Sequence, residues 1–261
     1  MTTRQFAGRV ALVTGASRGI GQAIAVGLAR EGAAVALVAR SEDALETCAA
    51  ELRARGDSAI AVRADVMSAA DIQRSVERVT KELGPVDILV NNAGDNILGR
   101  FLEQDEEAWW SQIELGIRAP YRYTRAVIGS MAERGWGRVI NVLSVNAKKA
   151  GKFMSAYATA KHAMLGMTRA LAIDFATTKV TVNAICPGWV KTDLTRRTIA
   201  QRVGLFGAPQ EQIEKTALQT IPQGVVMNPE DIVGAAVFLA SEGAARITGE
   251  AMNVSAGMVM H

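Results

Sequence analysis

The chain has 261 residues, of which 49% are hydrophobic and 21% charged, a balance that excludes a disordered chain and a fibrous one. Lys plus Arg number 29 against 26 Asp plus Glu, so the formal charge is only +3 although the sequence isoelectric point is near 9.0. So small a net charge, with no block of Lys and Arg, argues against nucleic acid as a partner.

Val10 to Thr14 is a continuous apolar run and reads as a buried strand. Gly19 to Arg30 follows with apolar residues at Ile20, Ala23, Ile24 and Leu28, the spacing of a helix. Strand patterns recur at Val35 to Val38, Ala59 to Arg63, Val86 to Val90, Arg138 to Leu143, Val180 to Ile185 and Ala251 to Val254. Helical patterns separate them at Glu42 to Arg55, Ala70 to Leu83, Glu106 to Glu133, Ser155 to Ala176 and Pro229 to Ala240. Strict alternation of strand and helix predicts an α/β fold, a doubly wound parallel sheet covered on both faces. No linker or repeat divides the chain, so residues 1–261 are expected to form a single domain. Thr192 to Asn228 breaks the rhythm with Gly204, Gly207, Pro209, Pro222 and Gly224, and is expected to be an irregular insertion serving as a substrate lid.

Two cysteines, Cys48 and Cys186, and two histidines, His162 and His261, lack the spacing of a zinc site, so no metal is expected. Apolar runs stay below the roughly 18 residues that a membrane span needs. Met1 to Gly8 has no apolar core of a secretory signal, so a cytoplasmic protein with reduced thiols is expected.

The turn from the first strand to the first helix is Thr14-Gly15-Ala16-Ser17-Arg18-Gly19-Ile20-Gly21. Glycines there permit a tight turn and close approach of backbone to a pyrophosphate, which the helix N-terminus attracts. An acidic residue at the end of the second strand would accept from a ribose 2′-hydroxyl; this chain has Ala39-Arg40 instead. Arg40, with Arg18 in the glycine loop, suits a 2′-phosphate, so NADP(H) is expected ahead of NAD(H).

Tyr157 and Lys161 stand four residues apart, on one face of a helix. A free phenol has a pKa near 10, and a neighbouring ammonium is expected to lower it, fitting the tyrosine for proton transfer to and from an alcohol. Ser144, at the end of the fifth strand, can hold the substrate oxygen beside it.

These segments, with Asp65-Val66, Asn91-Asn92-Ala93-Gly94 and Pro187-Gly188, resemble the short-chain dehydrogenase/reductase family over essentially the whole chain. The resemblance implies a seven-stranded Rossmann-type fold, a homotetramer or homodimer, and a small carbonyl or alcohol substrate. It implies that Ser144, Tyr157 and Lys161 are catalytic. It puts Gly15, Ser17, Arg18, Gly19, Ile20, Gly21 and Arg40 at the cofactor phosphates and Asp65 and Val66 at the adenine. Asn92, Ala93 and Gly94 would line the cofactor, with Pro187, Gly188, Val190 and Thr192 along the nicotinamide and pyrophosphate. Lys161 would also bind the nicotinamide ribose, beside Tyr157. The segments Cys186 to Val190 and Asn253 to Gly257 resemble 3-oxoacyl and polyketide-type ketoreductases. Gly129 and Thr178 align where carrier-protein reductases of the family tend to have arginine, which argues against a carrier-protein partner.

The family usually has an asparagine where Gly116 stands here. An ordered water in a void beside Lys161 is the expected replacement; the alternative is a dinucleotide-binding scaffold with weak or lost catalysis. Lys148, Lys149 and Lys152 follow Ser144 and are either solvated or positioned to meet an anionic substrate. Trp189 and Phe206 would pack either an apolar substrate or the lid itself.

Overall fold

The computed structural model describes residues 4–261. Seven strands form one sheet: β1 (Val10–Thr14), β2 (Ala34–Ala39), β3 (Ala59–Arg63), β4 (Ile88–Asn91), β5 (Gly137–Val142), β6 (Val180–Pro187) and β7 (Ala251–Val254). Their spatial order is β3-β2-β1-β4-β5-β6-β7, and every pairing is parallel. The α/β Rossmann-type sheet read from the sequence is therefore the fold of the chain.

Both faces of the sheet are covered, which is why its strands are apolar without alternation. Ile24 and Leu28 of α1 (Gly19–Arg30), Leu45 and Leu52 of α2 (Glu42–Ala54) and Leu239 of α8 (Val233–Ala240) fill one core. Ile72 and Val79 of α3 (Ala69–Glu82) and Val127 and Met131 of α4 (Glu106–Glu133) fill the other, with Leu171 of α5 (Ser155–Asp174) packed against it.

β1 pairs with β2 on one side and β4 on the other, so the strand order reverses there. The helices that follow β1 and β4, α1 and α4, go to opposite faces of the sheet and leave a crevice at the carboxyl ends of these strands, the usual ligand site of an open parallel sheet.

Residues 192–228 are not the irregular insertion expected. They contain two helices, α6 (Asp193–Phe206) and α7 (Gln210–Gln219). Thr192 caps α6, its hydroxyl accepting from the Thr195 amide at 3.2 Å, and Gly207 ends it in the left-handed conformation. Gly207 and Pro209 thus punctuate two helices, and Gly204 lies inside the first of them. Thr198 is the one buried residue of α6, so the helix has no apolar stripe to betray it in the sequence.

Candidate active site

The crevice is built first from the glycine loop. The Thr14 hydroxyl accepts from the Asn92 and Ala93 amides, at 3.0 and 3.1 Å, and donates to the Val90 carbonyl. The Asn92 side-chain amide donates back to the Thr14 and Gly15 carbonyls. A Cβ at Gly15 would lie 2.9 Å from the Ala93 Cα, and one at Gly21 would overlap the Asn92 amide. Glycine is needed because two turns lie against each other, and Gly15 and Gly19 also have positive φ.

Arg18 is the extended N-cap of α1 and gives it no side-chain cap. The first-turn amides of Gly19, Ile20 and Gly21 therefore face outward without a capping oxygen, at the positive end of the helix dipole. This is a cradle that fits a pyrophosphate. Ser17 is half-buried in the loop.

Arg40 is exposed just beyond β2, with no carboxylate ending that strand. Arg18 turns elsewhere: its guanidinium pairs with Asp193, at the start of α6, at 2.8 Å. To reach a 2′-phosphate it must leave that carboxylate. Asp65 accepts from the Met67 amide at 2.9 Å, fixing the turn after β3, and Val66 is buried there.

The catalytic candidates come from β5 and α5. Ser144 follows β5 by two residues and is buried. Its oxygen accepts from the backbone amide of Asn146 at 3.1 Å and from that residue's side-chain amide at 3.3 Å. With both lone pairs taken, the hydroxyl has only its proton left to give, to the Tyr157 oxygen or to a substrate oxygen.

Tyr157 and Lys161 occupy the first two turns of α5 and are 8% and 9% exposed. The Lys161 ammonium donates to the Val142 carbonyl at 3.0 Å and lies 5.6 Å from the Tyr157 ring centroid. Burial pushes the Tyr157 phenol up to about 12 and the Lys161 ammonium down to about 8. Desolvation thus raises Tyr157, the opposite of the lowering expected from its spacing to Lys161; the Ser144 hydrogen bond opposes the rise, while Cys186 and Asp95 add to it.

One cleft gathers Ile20, Asn92 and Gly94 from the cofactor side with Ser144, Tyr157 and Lys161. Pro187, Gly188, Val190 and Thr192 close its other wall. Asp95, Leu143, Leu194 and Thr195 line it too, and beyond adjacency to predicted positions no sequence pattern marks them. A larger groove of about 850 Å³ among α3, α4 and α5 contains none of the predicted site residues.

α6 is pinned over the cleft by polar contacts. Arg197 pairs with Asp95 at 3.1 Å, and the Gln201 side chain accepts from the Leu98 amide and donates to the Asn96 carbonyl. The three lysines separate: Lys148 donates to the Ala251 carbonyl and Lys149 to the Met258 carbonyl, while Lys152 sits over the Phe153 and Phe206 rings. Trp189 lies under the Arg202 guanidinium and so packs against α6.

The void expected at Gly116 does not exist. A Cβ there would lie 2.7 Å from the Cβ of Ala160, the residue before Lys161, so the Ala160 methyl occupies the space. What α4 offers instead is backbone. Pro120 lies inside α4, four residues beyond Gly116, and has no N–H to give the Gly116 carbonyl.

A family model described as short chain dehydrogenase matches residues 9–203. The chain belongs to the short-chain dehydrogenase family. It is 40% identical over 257 residues to a 3-oxoacyl-(acyl-carrier-protein) reductase of Pseudomonas aeruginosa, covering 97% of this chain and 98% of that one. It is 37% identical over 256 residues to a D-beta-hydroxybutyrate dehydrogenase of Cupriavidus necator, covering 97% and 98%. A crystal structure of an actinorhodin polyketide ketoreductase variant with NADPH superposes with a TM-score of 0.92 at 36% identity, over 99% of each chain. This is an oxidoreductase of the ketoreductase type. Among the described residues no helix is long and apolar enough to cross a membrane, and no His, Cys, Asp and Glu cluster could hold a metal.

Proposed function

We propose that this protein is an NADP(H)-dependent ketoreductase, reversible as a secondary-alcohol dehydrogenase, in which Tyr157 gives and takes the proton. The observation that carries this reading is the convergence of Ser144, Tyr157 and Lys161 in one cleft beside the uncapped N-terminus of α1. The chain's similarity to a ketoreductase crystallised with NADPH supports the same cofactor class.

The dinucleotide supplies the hydride in reduction and accepts it in oxidation. The Gly19, Ile20 and Gly21 amides would hold its pyrophosphate, and Arg40 its 2′-phosphate, with Arg18 as a second partner. Asp65 and Val66 would border the adenine; Asn92, Ala93, Gly94, Pro187, Gly188, Val190 and Thr192 would flank the rest. Lys161 would reach the nicotinamide ribose.

Ser144 directs its O–H to the substrate carbonyl oxygen. Tyr157 keeps its proton at neutral pH because burial disfavours the phenolate, so it is charged for donation to the forming alkoxide. In the reverse direction the phenolate takes the proton from the alcohol, and the Lys161 ammonium stabilises that anion. The Gly116 carbonyl, left without its helical donor, is a ready acceptor for a water that returns protons to this pair.

The test is a pair of titrations and a panel. NADPH should quench tryptophan fluorescence at a concentration at least about tenfold below NADH, and should be consumed with one or more ketones. Tighter NADH binding refutes the cofactor assignment. Cofactor binding without turnover of any ketone supports the scaffold reading instead.

A further inference from the structure

Three residues other than glycine have positive φ among the described residues, and one of them stands four positions before Tyr157: Phe153, at φ 66. A bulky side chain in this region is an outlier that persists only where its surroundings over-determine it. A glycine would adopt the same turn without strain.

The surroundings that hold Phe153 are explicit. Its carbonyl accepts from the Gly99 amide at 3.1 Å. Its ring meets Phe206, in the last turn of α6, edge-on, with centroids 5.1 Å apart and planes at 62°. The Lys152 ammonium lies 5.0 and 5.4 Å from the two centroids. On the inner side Phe153 packs, with Leu205, against a cluster of Leu98, Met154 and Tyr157. The surface running outward from the Tyr157 ring is therefore apolar and aromatic, and Phe206 is 43% exposed at its edge. Of the charged groups at this end of the site, Asp95 and Arg197 neutralise each other and Lys149 is on a backbone carbonyl, while the Lys152 ammonium stays over the two rings.

From this we infer that Phe153 is a specificity-determining residue, forming with Phe206 a subsite for an aryl or comparably flat apolar arm on the ketone that Tyr157 reduces. The left-handed turn aims the ring at α6, so Phe153 from the segment leading into α5 and Phe206 from α6 form one continuous aromatic wall along which the arm would lie. An aryl arm gains both apolar burial and ring-to-ring geometry there. The inference rests on the ketoreductase reading.

The experiment compares 4-phenylbutan-2-one with butan-2-one. Both are unconjugated methyl ketones of like intrinsic reactivity, and they differ by a remote phenyl group. Wild-type protein should show a kcat/KM at least about tenfold higher for the phenyl compound. Phe153→Gly should reduce that ratio by about tenfold, through KM rather than kcat. Phe206→Ala, which alters no strained residue, should move the ratio in the same direction. An unchanged ratio in both variants overturns the assignment. So does an equal loss on both ketones, the mark of a purely structural residue. Wild-type protein that reduces neither ketone with NADPH or NADH, nor any other in the panel, overturns the ketoreductase reading itself, a result distinct from a wild type that reduces both without preference, which overturns only the subsite.

Discussion

Placing asparagine at position 116 should damage this enzyme, although asparagine is the residue that the family resemblance leads one to expect there. The added Cβ alone would stand 2.7 Å from the Ala160 methyl, where carbon atoms ordinarily rest about 3.5–4.0 Å apart. The two helices must therefore part by roughly 1 Å. Overpacking of this size costs about 1–3 kcal/mol, and removing a helical glycine returns a few tenths. The net loss, about 1–2.5 kcal/mol, corresponds to a melting temperature lower by several degrees. The larger effect falls on rate: Ala160 sits between Tyr157 and Lys161 on α5, and a displacement of about 1 Å in reacting groups can cost about a hundredfold. Gly116→Ala should show the same signs at smaller size. Thermal unfolding and steady-state NADPH consumption read both quantities. The decisive variant is Gly116→Ala with Ala160→Gly, which exchanges the methyl between helices and should recover most of the lost turnover. Gly116→Asn with full stability and full or raised turnover refutes the reasoning, because α4 and α5 would then not be in the contact described.

Other expectations follow from the same geometry. Arg40→Asp should weaken NADPH binding by about tenfold or more, since charge-assisted hydrogen bonds are worth roughly 1.5–3 kcal/mol, and should improve NADH binding; a preserved preference in titrations contradicts the role of Arg40. With the Lys161 ammonium pushed down to about 8, kcat/KM for the cofactor in ketone reduction should fall as pH rises through that value, because the charged donor is lost there. Tyr157, pushed up to about 12, keeps its proton over that range, so a profile flat from pH 7 to about 9.5 contradicts the assignment of the fall to Lys161. Pro120→Ala should raise the melting temperature, since an interior proline costs a helix about 3 kcal/mol, while lowering turnover severalfold by giving the Gly116 carbonyl a helical donor. Turnover that rises together with stability would mean that the carbonyl has no part in proton supply.

The fold was legible because its signals are local. The apolar runs at Val10 to Thr14 and Val35 to Val38 need no knowledge of partners to be read as buried strands, and the glycines of residues 15–21 announce a turn wherever it lies. Tyr157 and Lys161 share a helix face by spacing alone. What escaped the sequence depends on distant partners. α6 buries a single residue, Thr198, and is held by polar contacts to Asp95, Asn96 and Leu98, about a hundred residues earlier in the chain. Nothing near Gly116 reveals that Ala160 lies against it. Arg18 pairs with Asp193 across 175 positions. The Tyr157 phenol rises where the Lys161 spacing alone argued for a fall, because burial is a property of the packed protein and no local pattern encodes it.

The central claim, that Tyr157 transfers the proton in this cleft, is tested most directly by Tyr157→Phe. The substitution removes one hydroxyl and keeps the ring that packs with Leu98 and Met154. Turnover of a ketone that the wild type reduces should fall by about 10²–10⁴-fold, roughly 3–5 kcal/mol in the barrier, while NADPH titrates as before. Turnover within a few-fold of wild type, with NADPH still bound, would show that the proton comes from elsewhere.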